Sequence, residues 1–164
     1  SGFYRDASDN YELVLRNGAG GLSYLKNDGG ASTANLSFNV QGSERLRIDS
    51  SGVTTIKNGA VAEIDTLYSA ATITPDFAAS CNFTLTLGQN LTIANPSNLT
   101  AGQSGSIFLI QDGTGSRTSA FGSYWDFVGG TAPTLSTAAG SVDRLDYFVR
   151  SSTSIHAVVT LAYS

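Results

Sequence analysis

The side chains of this chain that could carry chemistry are few and scattered. The densest group is Tyr124, Trp125 and Asp126, in the run FGSYWDFVGG between glycine-rich flanks. Aromatic faces stack on the apolar C–H face of a sugar, and a neighbouring carboxylate hydrogen-bonds its hydroxyls. These three residues are therefore the candidate glycan contacts. The competing reading places Trp125 in a core or a subunit interface, where a large aromatic contributes most. In an extended segment Tyr124 and Trp125 point opposite ways, so one can be buried while the other is displayed.

The other candidates are weaker. His156 is the single histidine and lies among Ile155, Ala157, Val158 and Val159. Alone it supports neither a metal site nor a relay, and it reads as an ordinary strand residue. Asp143 and Asp146, three apart on a strand, face opposite sides and make a poor acid/base pair. Asp112 opens the turn DGTG, where Asp is favoured for local hydrogen bonding. Gly113–Ser116 lacks the Gly-Lys-Ser/Thr of a phosphate loop. Spaced acidic ligands for calcium are absent, and a single cysteine, Cys81, excludes an intrachain disulfide framework. No catalytic residue, metal or cofactor is expected.

Composition agrees with that. Charged residues make up 13% of 164, against about 25% in an average soluble domain. Ser, Thr, Asn and 18 Gly replace them, and the net charge is −4. Phosphate binding needs a basic patch, so nucleic acid is not an expected partner. The one local basic pair, Arg45 and Arg47, is flanked by Glu44 and Asp49. No apolar run approaches the roughly 18 residues of a membrane helix, so membrane insertion is not expected either. The Ser-Gly start fits removal of an initiator Met, a fragment boundary or a cloning remnant.

The elements that must position these residues are strands. Apolar and polar residues alternate over Tyr11–Arg16, Leu22–Lys26, Leu36–Val40, Glu44–Asp49 and Val53–Ile56, with turn signals between them. Residues 1–56 form a slender meander too short to cover its own apolar face, so it needs copies or partner chains. Leu46 and Ile48 then face a shared core, with Arg45 and Arg47 together on the opposite face. Residues 57–64 read as a linker that could hold one helical turn near Val61–Ile64. Residues 65–164 are richer in apolar side chains. Cys81–Leu87 alternates, Leu91–Ala94 follows, and Ile107–Ile110 is apolar on both faces, as in a strand buried between layers. Arg144–Arg150 and Ile155–Ala162 read as a hairpin around a polar loop. The fold class expected is all-β: a short-stranded β-meander shaft, then an antiparallel β-sandwich or jelly-roll-like head.

The stretch LSFNVQGSERLRIDSSGVTTI resembles the shaft repeats of bacteriophage tail fibres and fibre-like virion proteins. The stretches TLTLGQNLTIANPSNLTAGQSGSIFLIQDGTGSRT and WDFVGGTAPTLSTAAGSVDRLDYFVRSSTSIHAV look like a C-terminal domain of structural proteins from marine and aquatic phages. The resemblance implies a non-enzymatic homotrimeric fibre or spike on the virion surface. Leu46 and Ile48 would lie in the trimer core, and the partners would be other virion proteins and a host-surface glycan. A capsid decoration protein or head fibre is the alternative, and the short length favours it. A glycan-degrading spike is the alternative of another class. It requires paired carboxylates at a set separation, and no convincing pair is present.

Overall fold

The computed structural model describes residues 2–5, 11–16, 22–28 and 35–163, with side chains at Leu25 and from Asn35 onward. The glycine-rich reversal expected at 17–21 lies outside the described residues; of the turn expected at 27–30, Asn27 and Asp28 continue the strand Leu22–Asp28 and 29–30 lie outside the described residues. Among those described, structure is almost entirely β, with one 3-10 turn at Val128–Gly130. The chain divides into two compact units, Ser1–Val61 and Ala62–Ser164. The helical turn that the linker could hold near Val61–Ile64 does not form: Val61 is irregular, and Ile64 opens a strand.

The first unit is one six-stranded antiparallel sheet in sequential order. Its strands are β1 (Gly2–Arg5), β2 (Tyr11–Arg16), β3 (Leu22–Asp28), β4 (Asn35–Val40), β5 (Ser43–Ile48) and β6 (Thr54–Ile56). Gln41 and Gly42 join β4 to β5 with φ of 51° and 73°. Two positive φ values in a two-residue loop are what a hairpin with right-handed strand twist requires. Asp49 shapes the next reversal, its Oδ1 accepting from the backbone N–H of Ser51 and of Val53 at 2.9 and 3.0 Å. The cross-strand register sets Phe3, Leu13, Leu25, Phe38, Leu46 and Ile56 in one row across all six strands.

The second unit has two sheets. The larger contains β7 (Ile64–Leu67), β9 (Asn82–Leu87), β11 (Ser104–Gln111), β13 (Trp125–Phe127), β14 (Val142–Ser151) and β15 (Ser154–Tyr163). The smaller contains β8 (Thr72–Ile73), β10 (Leu91–Ile93) and β12 (Ser119–Phe121). From β7 to β13 the chain passes between the sheets at every step. Parallel neighbours need a crossover connection, and here each crossover carries a strand of the opposite sheet. As a result β7, β9 and β11 are parallel neighbours, and so are β8, β10 and β12. Only the hairpin β14–β15 and its edge on β11 are antiparallel. The head is all-β as expected, but its sheets are mixed and parallel rather than antiparallel.

Both sheets feed one core. Phe83, Leu85 and Leu87 of β9, Ile107 and Leu109 of β11, and Leu145 and Val149 of β14 are buried together with Ile73, Leu91 and Ile93 of the small sheet. Gly105 is required by a close approach: a Cβ there would lie 1.7 Å from the Cys81 carbonyl oxygen. Tyr147 uses that same carbonyl, its hydroxyl donating to it at 2.8 Å.

Candidate functional site

The aromatic segment is fixed from below by the end of β10. The Asn95 side-chain oxygen accepts the Tyr124 N–H at 2.9 Å, and the Ala94 carbonyl accepts the Trp125 indole N–H at 3.1 Å. β13 then runs parallel to β15, with Trp125 opposite Ile155 and Asp126 opposite His156. Strand alternation sends Trp125 into the core, where it is 6% exposed. Its ring meets Phe121, Tyr147 and Phe77 edge-on, with centroids 6.0, 6.2 and 6.3 Å away. Trp125 is therefore a core residue and has no free face for a sugar, which corrects its place among the candidate glycan contacts.

Tyr124 is half-buried against that cluster, and Asp126 is exposed. Asp126 is already engaged, since Ser154 Oγ donates to its Oδ2 at 2.6 Å and accepts from Arg150 Nε at 3.0 Å. Phe77 was not singled out in the sequence, yet it stacks on Tyr147 at 4.5 Å and on Phe83 at 5.9 Å. Burial pushes the Tyr147 phenol well above its ordinary pKa of 10.0, and the neighbouring Cys81 adds to the shift.

Three further carboxylates are held in structural contacts. Asp143 is 2% exposed and accepts from the Ser136 N–H, the Ser136 hydroxyl and the Ala162 N–H at 2.8, 2.7 and 2.9 Å. Asp146 lies on the opposite face of β14, paired with Arg144 at 2.9 Å. Asp112 organises its turn through the N–H groups of Thr114 and Gly115 and grips Arg117 at 2.7 and 3.0 Å. Arg117 beside it, more than the turn hydrogen bonds, holds the Asp112 carboxyl below 3.8. His156 is exposed, and Gln103 points an amide at Cys81 Sγ at 3.5 Å. Among the described residues no group of three His, Cys, Asp or Glu is placed to hold a metal.

In the first unit the two faces of the sheet invert the usual burial. Ser37 and Asn39 are 0% and 8% exposed, whereas Leu36, Phe38 and Val40 on the other face are 40%, 45% and 44% exposed. Leu46 is half-buried and Ile48 is 37% exposed on that apolar face, opposite Phe38 and Leu36. Arg45 and Arg47 do not share a regular alternation as expected, because Arg45 is the extra residue of a bulge between the Phe38 and Asn39 positions. Arg45 is exposed, and Arg47 is half-buried in the row of Ser37 and Thr55. Glu44 faces Lys57 at 3.6 Å.

Among the described residues these features define an all-β protein with a packed aromatic core in its second unit and an unburied apolar sheet face in its first. Residues 73–150, from β8 to near the end of β14, match the family described as "Putative phage tail fibre C-terminal domain". That stretch, just under half of the chain, is similar to a phage tail fibre C-terminal domain. No curated protein and no solved structure matches the chain.

Proposed function

We propose that the chain is a non-enzymatic structural protein of a phage particle, a homotrimeric fibre or spike displayed on the virion exterior. The observation that carries this reading is the apolar face of the first sheet. Leu36, Phe38, Val40, Ile48 and Ile56 are all more than a third exposed, while polar Ser37 and Asn39 are buried. A sheet with its apolar face open to water is incomplete as a single chain, and contiguous patches of this kind mark association surfaces. Leu46 and Ile48 belong to the shared core between copies. The family match supports the virion setting. Residues 1–56 act as the slender region, 57–64 as the connection and 65–164 as the head. Adhesion to a host-surface glycan is the head's task, with Tyr124 and Asp126 as contacts and Trp125 as the buried support beneath them.

The test is a pair of charge insertions in the shaft. Phe38→Asp and Leu46→Asp each place a carboxylate on the apolar face. The expected result is dissociation to monomers with the circular dichroism of the head preserved. An unchanged assembly in both variants refutes this use of the face.

A further inference from the structure

The segment that joins the two units has little to hold it. On its first side the Lys57 N–H donates to the Arg45 carbonyl at 2.8 Å. On its far side the Glu63 carbonyl accepts from the Ser80 hydroxyl at 2.9 Å. Between them, residues 58–62 are exposed throughout and make no hydrogen bond among the described residues. Val61 is 96% exposed. Backbone with so few contacts samples other conformations at almost no cost. In this segment lies the pair Asn58-Gly59, with Asn58 at a φ of 69° and its side chain in water. A Cβ added at Gly59 would meet nothing within 4 Å, so no neighbour pins that residue either.

An asparagine amide is open to attack by the backbone nitrogen of the next residue when that nitrogen can reach its Cγ. Glycine in the following place has no side chain to block the approach and the widest choice of backbone angles for making it. The asparagines of the second unit are held out of such a reaction. The side-chain oxygens of Asn82, Asn90 and Asn95 accept the N–H groups of Ser106, Thr118 and Tyr124 at 3.1, 3.0 and 2.9 Å. The amide of Asn98 donates to Asp76 at 2.7 Å. The residues that follow these four are Phe, Leu, Pro and Leu, three of them bulky and one without an N–H. Asn58 alone in this comparison is exposed, unheld and followed by glycine.

From these observations we infer that Asn58 is a site of spontaneous covalent modification in the junction between the units. The Gly59 backbone nitrogen attacks Asn58 Cγ, and the new C–N bond closes a five-membered succinimide. Ammonia leaves, carrying the proton of the Gly59 N–H. Water then opens the ring. Its attack at Cγ leaves aspartate in a normal chain. Its attack at the backbone carbonyl leaves isoaspartate, with the main chain routed through Cβ and Cγ. Water is the single co-reactant. Either product adds one negative charge to the −4 of the chain, and isoaspartate lengthens the connection between the units by one backbone carbon.

The placement of the glutamates makes the test direct. Cleavage after glutamate releases residues 45–63, in which Asn58 is the single asparagine, and residues 64–164, which carry the four held ones. A second Asn-Gly, at 17–18 and outside the described residues, falls in another fragment. The full chain is kept for weeks in mildly alkaline buffer, then cut at mildly acidic pH, where the reaction is slow, and weighed by mass spectrometry. Fragment 45–63 is expected to gain about 1 Da at least about tenfold faster than fragment 64–164. It is also expected to accept methyl groups from an isoaspartate methyltransferase. Gly59→Ala, which the open space around Gly59 accommodates, is expected to slow the gain about tenfold or more. Equal rates in the two fragments overturn the inference. So does conversion of 45–63 without isoaspartate, which would mean direct hydrolysis, and so does a Gly59→Ala chain that reacts as fast as the parent.

Discussion

Replacing Trp125 with alanine tests the assignment of the aromatic segment most sharply. The indole is 6% exposed, touches three other rings and donates to the Ala94 carbonyl. Removing a large aromatic from a packed core costs about 3–5 kcal/mol. The lost ring–ring contacts belong to that figure and are not added to it. Ala94 is half-buried, so water can replace the indole donor and the carbonyl adds little. About 4 kcal/mol is thus a large share of a total stability of about 5–15 kcal/mol. For a unit of this size each kcal/mol moves the melting temperature by about 5 °C, giving a fall of about 15–25 °C. Thermal unfolding followed by far-ultraviolet circular dichroism reads this directly. A Trp125→Ala protein that melts within about 3 °C of the parent would refute the buried placement and reopen the sugar-stacking role.

Tyr124→Ala and Asp126→Ala should keep the parent's melting temperature to within a few degrees and lose binding on a glycan array, whereas His156→Ala should change neither. Loss of the fold in either of the first two, or full retention of binding in both, contradicts the adhesion assignment. Asp143→Ala takes the acceptor from the two donors of half-buried Ser136 and from the N–H of exposed Ala162, which water partly replaces, and should cost about 2 kcal/mol in urea unfolding; a cost below 1 kcal/mol would mean that the carboxylate is not what satisfies them. Tyr147 keeps its proton in the folded state above pH 10.0, where an unfolded phenol loses its own. The folded state then holds more protons, so stability falls as pH rises beyond 10, and Tyr147→Phe should remove that part of the alkaline loss. Asp112 has the opposite sign. Its folded carboxyl titrates below 3.8, so the loop's support is complete above that value and is lost as pH falls through the depressed one. A carboxyl NMR titration of Asp112 with its midpoint at or above 3.8 would contradict the Arg117 clamp.

Much of the strand pattern is legible in the sequence because burial on one face imposes period two. The alternation of Phe83, Leu85 and Leu87 marks β9, and Leu145 to Val149 marks β14. Pairing direction is a different matter. Alternation says which side chains share a face and nothing about which strand lies alongside, so the parallel set β7, β9, β11 was invisible. Its members are separated by strands of the other sheet. The short strands β8, β12 and β13 have only two or three residues each, too few to show a period. At the aromatic segment, residue types identify Tyr124, Trp125 and Asp126, but the decision between core and display rests on distant groups. Asn95 and Ala94 hold the segment, although Asn95-Pro96 reads in sequence only as the end of a strand. In the first sheet the alternation is right but the bulge at Arg45 breaks the expected pairing of the arginines, since one inserted residue leaves no mark in composition.

The account turns on self-assembly, and sedimentation velocity of the full chain at micromolar concentration tests it most directly. A single species at three times the 17.0 kDa chain mass is the predicted result. A stable monomer at that concentration, with the apolar row of Leu36, Phe38 and Val40 left in water, would contradict it.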